Sequence, residues 1–418
     1  MDSIPAAAPP GPVYLDHAAT TPMAPAALEA MTGELARTGN PSSLHGAGRR
    51  AHRVVEDARE ELAAAAGCHP TEIVFTSGGT EADNLALKGL YWARRDEDPA
   101  RNRILCPAIE HHAVLDTVEW LEQHEGADVR WLPVDGLGRI DLDRLRQEVA
   151  DAPERIAVVT AMWANNEVGT VQAVRDVVAL AEPHGIPVHS DAVQAFGALP
   201  LDFARSGLAT MAVSAHKIGG PVGIGALVVR RDVRLTAVQH GGGHERALRS
   251  GTLNAAAAAG FAAAAREAVG HLPVEAERLA GLRDRLIDGV ADAVPEARLS
   301  GPADPGNTGE RLPGNAHFTF PGCEGDSLLF VLDMLGVQSS TGSACTAGVP
   351  RPSHVLLAMG MSEERARGAQ RFTLGRTTTR ADVDALVAAI GEAYARASRA
   401  GLAARQSSIR TAGTGWGA

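Results

Sequence analysis

From about residue 70 to residue 231, short apolar runs alternate with longer stretches whose apolar positions recur at helical spacing. Ile73-Val74-Phe75-Thr76 is strand-like, and Glu81 to Arg94 has a helical pattern. Ile104-Leu105-Cys106 precedes a helix near 112–124. Ile156 to Met162, Pro187-Val188-His189 and Ala212-Val213-Ser214 repeat the alternation, and Ala226-Leu227-Val228-Val229 closes it. Apolar runs without polar interruption are buried on both faces, so the pattern predicts an α/β fold with a largely parallel sheet covered by helices on both faces. In such sheets a site forms beyond the carboxyl ends of the strands. Gly78-Gly79-Thr80, His111, Asn166, Asp191 and Lys217 each follow a predicted strand.

After Gly251 the texture changes. An Ala-rich helical stretch (about 255–292) leads to a loop rich in Gly, Pro and Asp (301–314). Short strands follow near 315–320 and 370–375, and a helix near 381–399 carries Val383, Leu386, Val387 and Ile390 on one face. This predicts a smaller α+β domain. The expected division is a flexible tail (1–12), a large domain (13–262) and a small C-terminal domain (263–405). The N-terminal segment of the large domain is free to pack with the small one. A second flexible tail (406–418) is rich in Ser, Thr and Gly.

The 45% apolar and 21% charged fractions are those of an ordinary soluble protein, and a net charge of −11 argues against a broad nucleic-acid footprint. Cys68, Cys106, Cys323 and Cys345 are scattered, with no CxxC pair, so neither a disulfide framework nor a zinc site is expected. A reducing, cytoplasmic setting follows from that usage. No apolar run is long enough to span a bilayer, and the first residues lack a basic start and an apolar core, so no membrane association is expected. His240-Gly241-Gly242-Gly243-His244 is a flexible loop, not a helix that would align two imidazoles, and no metal is expected there.

Asp191 and Lys217 close successive predicted strands. A lysine in that position suits a Schiff base with pyridoxal 5'-phosphate (PLP), and the carboxylate would keep the cofactor's ring nitrogen protonated. Taken singly, Lys217 reads as a surface lysine and Asp191 as a helix cap; their order at consecutive strand ends favours the cofactor. Ser77-Gly78-Gly79-Thr80-Glu81 follows a strand and opens a helix. It suits a phosphate cup, although a glycine turn capped by Thr80 would use the same residues. His111 could stack on a flat ring or simply start a helix, and Asn165-Asn166 could offer amides or form a turn. Arg371 and Arg376 flank Phe372-Thr373-Leu374-Gly375, a spacing suited to clamping a substrate carboxylate. Cys345 lies among small residues ahead of Pro350 and Pro352, as an exposed nucleophilic thiol would.

These motifs together resemble the cysteine desulfurases, a branch of the class V aminotransferase group within the fold-type I PLP enzymes. The resemblance runs from Tyr14-Leu15-Asp16-His17-Ala18-Ala19-Thr20-Thr21-Pro22 to about residue 390. It includes Asn40-Pro41-Ser42-Ser43, Ser77-Gly78-Gly79-Thr80-Glu81, Asn165-Asn166-Glu167-Val168-Gly169 and Ser214-Ala215-His216-Lys217. Gly241-Gly242-Gly243-His244-Glu245-Arg246, Arg249-Ser250-Gly251-Thr252 and Gly342-Ser343-Ala344-Cys345-Thr346 complete it.

The resemblance implies a PLP-bound homodimer that converts L-cysteine to L-alanine and passes sulfur, as a persulfide on Cys345, to an acceptor protein. Iron–sulfur assembly and thio-cofactor or tRNA thiolation are the implied destinations. A selenocysteine lyase or another enzyme of the same group is the alternative. Lys217 would hold the cofactor aldehyde and Asp191 its ring nitrogen. His111 would stack on the ring, and Asn166 and Gln194 would reach its phenolic oxygen. Gly79, Thr80, Ser214 and His216 would hold the phosphate, joined by Thr252 from the partner. Asn166 and Arg376 would bind the substrate. Two departures stand out: Gly219 and Val222 replace a bulkier residue and a lysine found in many relatives.

Overall fold

A computed structural model describes residues 11–342 and 352–412, with side chains described through residue 399. The strands are β1 (Val13–Tyr14), β2 (Ile73–Thr76), β3 (Arg103–Pro107), β4 (Asp128–Leu132), β5 (Ile156–Thr160), β6 (Val188–Asp191), β7 (Thr210–Ser214), β8 (Gly225–Val229), β9 (Arg298–Leu299), β10 (Asn315–Thr319), β11 (Val337–Gln338) and β12 (Ala369–Thr373). Seven of them form one sheet in the order β2-β8-β7-β6-β5-β3-β4. From β7 to β4 every pairing is parallel, whereas β8 runs antiparallel to both β7 and β2. The sheet is thus mostly parallel, as the strand pattern predicts, and β8 makes it mixed.

Alternate residues of each strand feed opposite faces. Phe75, Leu105, Val159 and Val228 join one apolar layer with Val55, Leu62 and Phe261. Val74, Ile104, Val158 and Leu227 join the other with Leu85, Leu90 and Tyr91 of helix Gly79–Glu97. Helix Gly46–Ala66 starts where the His45 side chain accepts the Gly48 N–H (3.3 Å) and stops at Gly67, whose φ of 65° suits glycine. Helix Ala255–Gly270 packs on Gly46–Ala66 and on Pro25–Leu35. Its small residues permit close approach: a Cβ on Gly260 would lie 3.2 Å from the Ala27 carbonyl oxygen.

The Ala-rich stretch is two helices rather than one. Ala255–Gly270 ends at His271, and Pro273 sits in the first turn of the next helix, Leu272–Ala293. The smaller unit holds the antiparallel sheet β12-β10-β9 against Leu272–Ala293, Gly325–Met334 and Arg380–Ala412. Phe318, Phe372, Leu286, Leu332, Val383 and Leu386 form its core, and Leu15 from the N-terminal segment lies in the same cluster. β1 pairs with β11 in parallel, which ties the start of the described chain to this unit. The last helix runs past Gln406, where a flexible tail was expected; Ala403, Ala404, Arg405 and Gln406 are all good helix formers. Among the described residues, no helix is long and apolar enough to cross a membrane.

Candidate active site

β6 and β7 are parallel neighbours with Asp191 opposite Ala212, so the carboxylate and the turn Ala215–Lys217 emerge side by side at one sheet edge. The Lys217 ammonium Nζ donates to the carbonyl oxygens of Ala18 (2.6 Å) and Ala19 (2.9 Å). Among the described residues it has no carboxylate hydrogen-bond partner. Burial, helped by the nearby Arg371 charge and opposed by Asp191 and Asp16, pulls its pKa down to about 8. A lysine so poised supplies free amine near neutral pH, the form that attacks a carbonyl. Gln194 Nε2 also donates to the Ala18 carbonyl, at 3.0 Å.

Asp191 is buried, and its carboxylate accepts the Val193 N–H at 2.8 Å. Burial pushes its pKa up, while His111, that N–H and Lys217 pull the other way. His111 caps helix His112–Glu125, its Nδ1 accepting the Ala113 N–H at 3.1 Å. Solvent reaches part of His111, but its recessed ring loses enough bulk water that its pKa falls below the ordinary value. Asp191 opposes that fall and Lys217 adds to it. Asp191, His111 and Lys217 therefore form one electrostatic group.

Gly79 opens its helix tightly against the neighbouring strand ends. A Cβ there would come within 2.7 Å of Val193 Cγ2 and 3.8 Å of Ser214 Cβ. Ser214 Oγ is buried without a hydrogen-bond partner. Thr80 is exposed in the first helical turn. His216 lies beside Thr20 Oγ1 (3.3 Å), and burial together with the Lys217 charge lowers its pKa to about 4, so it is neutral. The helix N-terminus, the orphan hydroxyl and the absence of a side chain at Gly79 suit a phosphate. Thr252 is exposed and hydrogen-bonded to none of these residues. Arg249 of the same loop pairs with Glu81 at 2.8 Å.

The two arginines do not form a single fork. Arg371 is buried; its Nη1 donates to the Asn166 carbonyl and its Nη2 to Asp16, both at 2.8 Å, and its Nε has no partner. The Asn166 side-chain amide makes no hydrogen bond among the described residues, whereas Asn165 accepts the Glu167 and Val168 N–H groups and donates to the distant Ile109 carbonyl. Arg376 instead lines a cavity of about 530 Å³ with Lys217, Gln194 and His17, beside helix Leu272–Ala293. It pairs with Glu267 at 3.9 Å.

Cys345 lies outside the described residues. On its two sides, Ser353 Oγ donates to Glu167 Oε2, and a Cβ on Gly342 would sit 3.6 Å from the same oxygen. Sequence reasoning missed Glu167, the Ala18 and Ala19 carbonyls and the buried acids Asp83 and Glu110. Backbone acceptors leave no trace in residue type. Glu110 did leave one, as a charge next to His111 at the end of an apolar strand. Among the described residues, no group of three or more His, Cys, Asp or Glu could hold a metal ion.

The aminotransferase class-V family model matches residues 13–386. An IscS-like cysteine desulfurase of Mycobacterium tuberculosis is 54% identical over 94% of this chain and 98% of its own. The cysteine desulfurase IscS of Clostridium botulinum is 40% identical over 89% of this chain and 91% of its own. Among solved structures, a NifS-like protein aligns with a TM-score of 0.83 at 34% identity, covering 91% of this chain and 98% of that one. A second, SspA in complex with cysteine, aligns with a TM-score of 0.73 at 34% identity, covering 86% and 98%.

Proposed function

The chain belongs to the class V aminotransferase family, among its cysteine desulfurases, and from that premise we propose which of its residues take sulfur from L-cysteine and how. The enzyme converts L-cysteine to L-alanine, and the selenocysteine lyase reading is not favoured. PLP is the family's cofactor, and when bound it draws electron density from the substrate's α-carbon. Lys217 would hold it, and the observation that carries this is the desolvated amine beside Asp191, with a pKa of about 8. Asp191 would hold the ring nitrogen's proton and His111 would cover the ring face. Asn166 and Gln194 would reach the ring's phenolic oxygen. Gly79, Thr80, Ser214 and His216 would take the phosphate, and the orphan Ser214 Oγ supplies a donor that has no other work. Thr252, exposed on its loop, is available to complete a second subunit's cup in a homodimer.

We assign the substrate carboxylate to Arg371 rather than Arg376. Arg371 has an unpaired buried Nε, touches Asn166 and is felt electrostatically by Lys217. Lys217, once free of the aldehyde, is the base for the α-proton. The Cys345 thiolate then attacks the substrate sulfur: an S–S bond forms, the C–S bond breaks, and its electron pair stays on carbon. That carbon takes a proton as alanine forms. The persulfide on Cys345 passes its sulfur to an acceptor protein for cluster assembly or thiolation. A reducing cytoplasm suits the thiol this requires.

Borohydride treatment of the reconstituted protein tests the cofactor reading: it should fix the chromophore on a peptide containing Lys217. Cys345→Ser should abolish sulfide release while the yellow cofactor band persists. Label on another residue, or unchanged turnover in the serine variant, would sink it.

A further inference from the structure

Three carboxyl groups from three different elements are buried together beneath the candidate cofactor site. Asp191 ends β6. Asp83 lies on helix Gly79–Glu97, three residues past Thr80, and is 1% exposed. Glu110 directly precedes His111 and is fully buried. Strand alternation places His189, also fully buried, on the same face of β6 as Asp191. Its Nε2 meets Asp83 Oδ1 at 3.1 Å and its Nδ1 meets Thr210 Oγ1 at 2.9 Å. Glu110 Oε1 accepts the Met162 N–H (2.7 Å) and lies 3.3 Å from Thr160 Oγ1, while its Oε2 has no partner.

Among the described residues, no lysine or arginine pairs with Asp83 or Glu110. The groups facing Asp83 are His189, Asp191 and Glu110; those facing the Glu110 carboxyl are Asp83, Asp191, Thr160, the Met162 N–H and Cys106, while His354 Nε2 meets the Glu110 main-chain carbonyl at 2.9 Å. Both cations of the neighbourhood, Lys217 and the potentially charged His111, act on Asp191 instead. Like charges in a water-free interior cannot all ionise, and an unpaired buried carboxylate takes up a proton.

We propose that Asp83 and Glu110 are positioning acids that stay protonated in the working enzyme, so that Asp191 holds the sole carboxylate charge of the buried cluster. This rests on the reading of Asp191 as the partner of the cofactor's ring nitrogen. A second anion beside Asp191 would raise that carboxylate's own affinity for a proton and draw it off the ring nitrogen. Neutral neighbours fill the space under Asp191 without competing for that proton. The same argument keeps His189 neutral, bridging Asp83 and Thr210; burial pulls its pKa to about 3. Glu110 moves the opposite way, to about 8, through burial and the Asp191 charge.

Infrared spectroscopy of the apoprotein at pH 7 tests the protonation directly. The carbonyl stretch of buried, protonated carboxyls should be present in the wild type, and Asp83→Asn and Glu110→Gln should each remove one component of it. In the reconstituted protein, both amide variants should leave the pH midpoint of the cofactor's visible band in place. Loss of an ionised neighbour would move that midpoint by about one unit or more. Absence of the carbonyl stretch in the wild type, or such a displacement in either variant, would overturn the proposal. The wild-type spectrum of the reconstituted protein, in which the ring nitrogen's proton keeps Asp191 ionised and leaves the stretch to Asp83 and Glu110, decides the matter even if a variant does not fold. A protein that shows the stretch but gains no chromophore with PLP would overturn the cofactor reading alone.

Discussion

Replacing Lys217 by methionine should make the cofactor-free protein more stable, by an amount that depends on pH. Lys217 is charged at pH 7 in a place that disfavours charge: its pKa falls from 10.5 to about 8. That drop corresponds to roughly 3 kcal/mol of destabilisation at pH 7. Methionine removes the penalty but leaves the Ala18 and Ala19 carbonyls without their donor, at about 1 kcal/mol each. The net gain at pH 7 is therefore about 1 kcal/mol. The sign with pH follows from proton counting. Between the folded and unfolded values the unfolded chain holds a proton that the folded one has shed, so wild-type stability rises with pH across that window. Roughly 2 kcal/mol of the difference between variant and wild type should disappear between pH 7 and pH 9.5, reversing their order. Urea denaturation of both apoproteins at the two pH values measures it. A stability difference that stays flat with pH would refute the claim that burial holds the Lys217 pKa well below its ordinary value.

Arg371→Gln should raise KM for L-cysteine by roughly 10- to 100-fold through loss of a charged hydrogen bond, while Arg376→Gln has a few-fold effect at most; equal effects in steady-state assays would contradict the assignment. Gly79→Ala drives a Cβ to 2.7 Å from Val193, and overpacking of about 1–3 kcal/mol should weaken PLP retention on dialysis, with helical content unchanged by circular dichroism. Glu245 forms a buried pair with Arg59 (2.7 Å) and accepts the Phe75 N–H (2.6 Å), from a run in which Glu245, Arg246 and Ala247 all have positive φ. Glu245→Ala strands the arginine and should cost about 3–5 kcal/mol, read as a lowered midpoint in thermal melts.

The strand pattern made six of the sheet's seven strands legible because a run such as Ile156–Thr160, buried along its whole length, has to be covered on both faces; the edge strand β4 was missed because Asp128, Arg130 and Trp131 break its apolar run. It could not give the direction of β8, since reversing Gly225–Val229 leaves its burial unchanged. Asp191 and Lys217 stood out because charge at the end of an apolar strand needs a reason. Arg371 and Arg376 looked equivalent by spacing. Only the pairing of β12 with β10 and the reach to Asp16 and Asn166 separate them. Asp83 was hidden by its helix, where an aspartate reads as a solvated position until the sheet closes over it.

One stretch of main chain touches both units of the fold. Val13 and Tyr14 pair with β11, Leu15 sits in the small unit's core, and three residues on the Ala18 carbonyl holds Lys217 and Gln194. Tilting the smaller unit therefore tugs on the acceptors of the reactive amine. By reciprocity, drawing that amine onto an aldehyde slackens the tether and biases the tilt by the same free energy. Occupancy at Lys217 and the angle between the two units are in this way coupled through about six residues of backbone.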